Sequence, residues 1–565
     1  ILGRYVLTPG IFEAIENTPP GKGGEIPAEL SEIRLGPAPA GRWNFTGLYL
    51  RVGGSYRPLE LTGPNGSFKL QTGRVGSVFK AGEPVELIAV RRVPAPRRAT
   101  LILRDYYSGA ELSRRPVELA GRVVKLPVEP GRFGSFEAEL LTADGCSAKL
   151  RLTRIPAPEK VAHEKSFMGI NVFQQQHWYY SYQLPLFAAA GIRWVRPWLH
   201  WENTWKMQEP ERGRFDTSAL DAMLRRLALH DQKLEYIFYN YAPWLVPGRS
   251  TEMTPLDAEQ MKLWEAYVGR IVRHCSPQVT DYEVWNEPDL PFWTGTQEEY
   301  FKLYDLSRAA IKRQDSRFRV GGPATSKTAW IADFCRHVSA PSPEDPSPGC
   351  RCDFVSTHAY PSDVAFLDGA EGEVRLQSAD LLPRLLTRVR QTMKLLPEPV
   401  PLFLGEWNSS AGPLAFNHDE CANAAFIVKT MAELRSVCAG SLFWNGSDIY
   451  EECGFHSAPF HGGYGLLNVN GIPKASFHAF RFLRAVSGEE LSAVWSRPAK
   501  CLGALAARDQ KTVRLLLWNY LNPEKENETF EIRIDGLKSG ATLYRVEGAG
   551  ADMHFVPLNG EEAAS

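Results

Sequence analysis

Residues 282–293 read YEVWNEPDLPFW, and they put a carboxylate where a strand should stop. Tyr282 to Trp285 form a short apolar and aromatic run of strand type. Asn286 and Glu287 follow at once, and Pro288 lacks the backbone N–H that a continuing ladder needs. A lone glutamate in such a place is usually a solvated strand end. At the mouth of a barrel, the same position carries catalytic side chains.

Outward from this stretch, strand text alternates with amphipathic helix text in both directions. Before it come FMGINVF and LPLFAAA, IRWVRPWL and SALDAMLRRLALH, then LEYIFYNY and AEQMKLWEAYVGRIVRH. DYEVWNEP is followed by QEEYFKLYDLSRAAIKR, FRVGGPAT by AWIADFCRHV, and CDFVSTHAYP by ADLLPRLLTRVRQTMKLL. PLFLGEWN with ECANAAFIVKTMAELRSV, and SLFWNGSD with KASFHAFRFLRAV, complete eight units. The expected fold is α/β, a (β/α)8 TIM barrel. A doubly wound open sheet would carry a glycine-rich phosphate turn after its first strand, and FMGINVFQQQ has none.

The flanks read differently. From Trp43 to Leu152 short strand runs such as EPVELIAV and ATLILRDYY alternate with glycine and proline turns, as in a β-sandwich. RIPAPEK, residues 154–160, reads as a stiff linker, and after about residue 487 strand text returns in VRLLLWNY, TFEIRIDG and ATLYRVEG. The expected domains are therefore an N-terminal β-sandwich over 1–155, the barrel over 160–486 and a C-terminal β-sandwich over 487–565.

Bulk properties narrow the classes. A chain of 565 residues exceeds a single core, and its net charge of -1 makes no electrostatic case for nucleic acid or an anionic membrane. No apolar run is long enough to span a bilayer. The nine cysteines are odd in number and scattered, with only Cys350 and Cys352 close together, so neither a disulfide framework nor a zinc knuckle is expected. The chain begins at Ile1, as it would after removal of an export signal or after trimming, and a secreted or periplasmic protein is expected slightly ahead of a cytoplasmic one.

With a barrel, the C-terminal strand ends share one mouth. They bring Arg196 and Trp198, Tyr239 and Tyr241, Asn286 and Glu287, His358 and Tyr360, Glu406, and Trp444 with Asp448. Glu287 and Glu406 come from the fourth and seventh strands. Glycosidic hydrolysis needs such a pair, one carboxyl to protonate the leaving oxygen and one to attack or to activate water. Tryptophan and tyrosine offer flat faces to the C–H side of a sugar, and 12 of the 15 tryptophans lie between Trp178 and Trp444. Arg196 is expected as an ion-pair partner of Glu406. Cys453, His456 and His461 could be metal ligands by type, but this chemistry requires no metal and none is expected.

These residues resemble glycoside hydrolase family 39, the family of retaining β-xylosidases and α-L-iduronidases. The likeness runs from Tyr282 to Leu483 through WNEPDLPFW, RVGGPAT, DFVSTHAYPS, GEWNSS, SDIYEECGF and FHGGYGLLNVNGIPKASFHAFRFL. Asn-Glu-Pro alone marks only the wider clan of barrel glycosidases; the HGG and IPKASFHAF text is more specific. The resemblance implies Glu287 as acid/base, Glu406 as nucleophile, Asn286 at the sugar 2-hydroxyl, and His358, Trp444, Glu451 and Glu452 around the non-reducing sugar. Arg196, Trp198, His200, Tyr239 and Tyr360 complete the expected substrate-binding set.

Three departures surround the sugar pocket. Trp198 replaces the family's histidine, with His200 nearby; Ala411 replaces a tyrosine; and Trp444-Asn445-Gly446 replaces Trp-Thr-Phe. The expectation is a retaining, terminal-sugar hydrolase of plant- or microbe-derived oligo- or polysaccharide, xylosidase-like but with an altered pocket. An endo-acting enzyme, a uronide or arabinoside hydrolase and a non-catalytic carbohydrate-binding protein stay as alternatives. The expected partner is carbohydrate, with no cofactor, nucleic acid or membrane span, and the oligomeric state is open.

Overall fold

Eight parallel strands close on themselves: β1 (Met168–Val172), β2 (Trp194–Pro197), β3 (Lys233–Phe238), β4 (Asp281–Val284), β5 (Arg319–Thr325), β6 (Phe354–His358), β7 (Leu402–Trp407) and β8 (Gly440–Phe443). Each pairs with its sequence neighbour, and Ile170 of β1 opposite Phe443 of β8 completes the barrel. This computed structural model describes, with short interruptions, residues 68–155, 167–197, 204–361, 381–449, 460–496 and 502–520, together with strands Leu48–Val52, Ser55–Leu59, Tyr544–Glu547 and His554–Pro557.

A helix follows every strand: α1 (His177–Ala189), α2 (Ser218–Leu229), α3 (Ala258–Cys275), α4 (Gln297–Gln314), α5 (Ile331–Ser339), α6 (Leu381–Thr392), α7 (Cys421–Leu434) and α8 (Ala475–Ala485). Local chemistry starts two of them. Asp257 with Gln260 forms a capping box at α3, and Thr296 with Glu299 forms another at α4, so backbone donors left free by the first turn are satisfied. Trp264 of α3 then donates to Ser307 of α4 at 2.8 Å.

Strand parity sorts the barrel into two environments. Val195, Leu234, Tyr236, Tyr282 and Val284 join the large apolar core that the helices cover. Their alternates Arg196, Glu235 and Glu283 are buried with the polar groups of the barrel interior. Lower down, Trp194, Phe354, Phe403 and Leu442 form a separate apolar floor. The interior is thus apolar below and polar above, which positions the site at one end.

N-terminal to the barrel, a five-stranded sheet in the order Val78–Lys80, Ser147–Ile155, Gly134–Leu141, Arg98–Asp105, Glu111–Glu118 shares one apolar cluster with a three-stranded sheet of Phe68–Thr72, Val85–Arg91 and Val123–Val128. Phe79, Leu101 and Phe136 meet Phe68, Leu87 and Leu126 in that cluster, as in a sandwich. C-terminal to it, Glu489–Leu491, Leu502–Arg508 and Val513–Asn519 form an antiparallel sheet. Tyr520 carries that end of the chain onto α7, 5.6 Å from Phe426 between ring centroids. Strands Tyr544–Glu547 and His554–Pro557 pair as a hairpin. Residues 156–160 of the linker text and the TFEIRIDG text lie outside the described residues. Among the described residues, no helix is long and apolar enough to cross a membrane.

Candidate active site

The strand that opens the question stops because its backbone turns over. Trp285 and Glu287 adopt φ of +69° and +46°, left-handed values that cost an L residue roughly 1–2 kcal/mol each. Trp285 N–H donates to Phe238 O and Glu287 N–H to Ala324 O, both at 2.9 Å, tying the turn to the neighbouring strands. The Trp285 ring is boxed by Tyr239, Trp293 and Tyr241 at 4.9, 5.1 and 5.2 Å between centroids. The aromatics of YEVWNEPDLPFW and LEYIFYNY therefore hold a strained turn, and Glu287 is carried on it.

Glu406, near the end of β7, is buried beside it. One carboxylate oxygen of Glu287, one of Glu406 and a ring nitrogen of His358 all lie within 4.8 Å of one another. Tyr360 O–H donates to Glu406 Oε1 at 2.6 Å, while Glu406 Oε2 makes no hydrogen bond and stands 3.8 Å from Arg196 Nη1. His358 Nδ1 is 2.9 Å from Glu287 Oε1 and 3.7 Å from Glu406 Oε2. By ligand type these three side chains could hold a cation, and they are the group of this kind among the described residues.

Burial pushes Glu406 up to about 7, with Glu287 adding to the effect and His358, Arg196 and the Tyr360 hydrogen bond opposing it. Burial also lowers His358, so its imidazole is neutral near pH 7. Arg196 is fully buried. Desolvation works against its charge, but Glu283, Glu406 and Glu235 outweigh that and raise its pKa.

Arg196 organises the layer below. Its Nε and Nη2 donate to Glu283 Oε2 at 2.9 and 2.7 Å, Nη2 also to Asn286 Oδ1 at 2.8 Å, and Nη1 to Asn171 Oδ1 at 3.0 Å. The expected ion pair of Arg196 with Glu406 is present at 3.8 Å but without a hydrogen bond; the hydrogen-bonded carboxylate is Glu283, one layer down. Asn286 spends its oxygen on Arg196, which leaves its buried Nδ2 without a partner. Tyr360, Trp444 and Tyr464 form an apolar wall with Ala411, and Tyr464 O–H donates to the Ala411 carbonyl.

The structure brings together Glu287, Glu406, Asn286, Arg196, His358, Tyr360 and Trp444. Tyr239 packs against Trp285 within the main apolar core. Trp198, His200, Glu451 and Glu452 lie outside the described residues, as do Cys453 and His456. Gly446, one of the three departures, faces away from the wall: a Cβ there would come 2.6 Å from the Phe187 ring of α1, behind the strand. Sequence reading missed Glu283, Asn171 and Tyr464. Glu283 carried one signal, a charge at inward parity inside apolar strand text; Tyr464 carried another, its place directly after the FHGG text.

Comparison with known proteins decides the relationship. Residues 254–546 match the family model described as glycosyl hydrolases family 39, more than half of the chain. The chain belongs to family 39. Glu287, Asn286, His358, Tyr360, Glu406 and Trp444 fall inside the matched residues; Arg196 and Asn171 precede them. A β-xylosidase of Caldicellulosiruptor saccharolyticus is 39% identical over 259 residues, 45% of this chain and 51% of that protein. One of Geobacillus stearothermophilus is 33% identical over 264 residues, 45% of this chain and 49% of that protein. This family 39 chain thus spans about half the length of the curated relatives it matches.

Among solved structures, a monomeric β-xylosidase from Caulobacter crescentus superposes with a TM-score of 0.53 at 27% identity, over 64% of this chain and 75% of that one. A family 39 glycoside hydrolase from Bacteroides cellulosilyticus WH2 gives 0.58 at 14% identity over 85% of this chain and 96% of that one, a likeness of fold.

Proposed function

We propose that this family 39 chain is a retaining glycoside hydrolase that removes a terminal sugar from an oligo- or polysaccharide by double displacement, xylosidase-like with an altered sugar pocket. The observation that carries the reading is the pair of buried carboxylates from β4 and β7 with oxygens within 4.8 Å. Retention calls for carboxyls about 5–5.5 Å apart and inversion for roughly 6.5–9.5 Å. The names of the β-xylosidase relatives support the substrate class.

In the first step Glu406 attacks the anomeric carbon, the glycosidic C–O bond breaks, and Glu287 gives its proton to the departing oxygen. Glu287 then takes a proton from water, whose oxygen displaces Glu406 from the sugar. Glu406 must be ionised to attack, and the Tyr360 hydrogen bond and the Arg196 charge work toward that against burial. Burial keeps His358 neutral, so Glu287 meets an imidazole able to exchange a hydrogen bond with either of its protonation states. Asn286 Nδ2 is the free buried donor beside the pair, suited to a sugar hydroxyl.

The altered pocket rests on Trp198 and on Ala411, which leaves the wall of Tyr360, Trp444 and Tyr464 with a small residue. Glu451, Glu452 and the FHGG text are assigned to closing the pocket for a terminal sugar. We assign catalysis to residues 160–486, with flanking sandwich domains over 1–155 and 487–565. Steady-state kinetics on aryl β-xyloside, α-arabinoside, β-galactoside, β-glucoside and α-iduronide test this reading. The expected result is turnover with retention and a poor β-xyloside. Inverted product would overturn the mechanism, and β-xyloside as the best substrate by a wide margin would overturn the altered pocket.

A further inference from the structure

The loop FHGGYG, residues 460–465, is pinned by a buried cation that the displacement steps do not use. Lys474 stands at the N-terminus of α8, where the helix dipole opposes a positive charge, so local chemistry gives no reason for a lysine there. Its side chain is fully buried. The ammonium donates to Asp448 Oδ2 and Oδ1 at 3.1 and 3.3 Å and to Gly463 O at 2.8 Å, and it pairs closely with Asp419 Oδ1. A buried charge needs such partners, and removing this one would leave two carboxylates without their cation.

Both carboxylates also hold the loop directly. Asp419 Oδ2 accepts from Gly462 N–H at 2.6 Å, and Asp448 Oδ1 from Gly465 N–H at 2.7 Å. His418 Nδ1 lies 2.9 Å from Gly462 O. Glycine suits this close approach: Gly462 has φ of +80°, and a Cβ at Gly463 would strike the Asp448 carboxylate. One ammonium thus joins three separate segments: the turn Phe416–Asp419, the stretch after β8 and the loop itself.

What the loop delivers is Tyr464. Its ring packs with Trp444 and Tyr360 in the wall, its hydroxyl donates to Ala411 O, and its carbonyl accepts at 3.2 Å from Nδ2 of Asn408, two residues beyond Glu406. Tyr360 follows β6 and Trp444 follows β8, so each is set by its barrel strand. Tyr464 belongs to no strand and is set by the loop. We propose that Lys474 is a positioning residue for sugar binding: with Asp419 and Asp448 it clamps residues 462–465 and so holds the Tyr464 face of the pocket wall in place for the non-reducing sugar. The inference rests on the terminal-sugar reading, which gives the FHGG loop its task, and Lys474 acts on the sugar only through Tyr464.

Lys474→Met, which keeps the length of the side chain but not its charge, is expected to raise KM about tenfold with kcat within about threefold, the pattern of lost binding. A merely structural role has the opposite signature, a lower apparent kcat at unchanged KM because fewer molecules are folded, and that result would overturn the proposal. Asp419→Asn leaves Lys474 paired with Asp448 and so serves where Lys474→Met fails to fold; its KM is expected to rise about threefold, and an unchanged KM would overturn the proposal equally. The second arm needs no turnover. Hydrogen–deuterium exchange in peptides spanning Gly462 and Gly465 should accelerate about tenfold or more in either variant while the barrel strands keep their protection. Unchanged exchange would overturn the clamp. Faster exchange in a chain whose unaltered form is inactive on every glycoside would sink the glycosidase reading, and the role toward sugar with it, while the clamp on the loop stands.

Discussion

At the floor of the barrel, Asp281 accepts from Arg319 Nε and from Lys233 Nζ, both at 2.5 Å, and from Thr280 at 2.6 Å. Lys233 also lies 4.5 Å from the centre of the Trp194 ring, and Arg319 is within 6 Å of the Trp194, Phe354 and Phe403 rings. At the mouth and in the layer just beneath it, Glu406 Oε2, Asn286 Nδ2, His358 Nε2 and Glu283 Oε1 are also buried and make no hydrogen bond. The floor uses its charge on structure, while the mouth holds open valences against a steep desolvation cost. A site that binds a polyhydroxylated ligand has a use for such atoms, and a packing layer has none.

That contrast breaks most plainly at Glu406. Glu406→Ala should lower kcat/KM on the order of 10⁴-fold or more, since no second nucleophile reaches the anomeric carbon, and added azide should restore turnover with an inverted product. Its thermal stability near pH 7 should hold or rise, because a buried carboxylate with an open oxygen is removed. An unrescued loss accompanied by a fall in Tm would mean that Glu406 belongs with the floor.

Asp281 should behave in the opposite way. Asp281→Asn strips two cations of their shared anion, and the partial exposure of Lys233 (22%) and Arg319 (34%) reduces the penalty of breaking a buried pair to about 2–4 kcal/mol. Chemical denaturation should register that loss while kcat/KM stays within about threefold. A large kinetic loss without a stability change would erase the division between floor and mouth.

Much of this division was legible in the text, for identifiable reasons. Glu287 and Glu406 close apolar strand runs, and strand ends in a (β/α)8 barrel share one face, so period and punctuation alone put them together. Depth was not legible. Arg196 lies 3.8 Å from Glu406 yet hydrogen-bonds Glu283, and that choice depends on strand stagger, which no local pattern records. Glu235 reads as an ordinary strand charge until parity turns it inward. Tyr464 reaches the wall from a segment far from both carboxylates, through its hydrogen bond to Ala411.

Tyr360 sharpens the comparison within the mouth itself. Its hydrogen bond lowers Glu406 against burial, so Tyr360→Phe should raise Glu406 above about 7. Attack needs the ionised form, so the acid limb of kcat/KM should move to higher pH by about one unit, the scale of a charge-assisted hydrogen bond. The largest rate losses would appear below neutrality and shrink as pH rises. A uniform loss at all pH values would show that Tyr360 acts on the sugar and leaves the carboxylate alone.

The smallest expected effect separates two departures that look alike in sequence. Gly446 and Ala411 both read in the sequence as departures toward smaller side chains, but they face different neighbours. A Cβ at Gly446 meets the Phe187 ring at 2.6 Å, so Gly446→Ala overpacks the contact between β8 and α1 and should cost about 1–3 kcal/mol. It should leave the order of preference among aryl glycosides unchanged, because nothing on the mouth side moves. Ala411 instead packs against Tyr360, Trp444 and Tyr464, so Ala411→Tyr adds bulk and a hydroxyl at the wall itself. It should cost little stability if the ring projects into the pocket, and change the ratio of kcat/KM between β-xyloside and larger glycosides by about 10-fold, the scale on which pocket contacts discriminate. Measuring both ratios beside both melting curves tests the assignment. If Gly446→Ala moved the ratio and Ala411→Tyr did not, the pocket wall would have to be redrawn through β8.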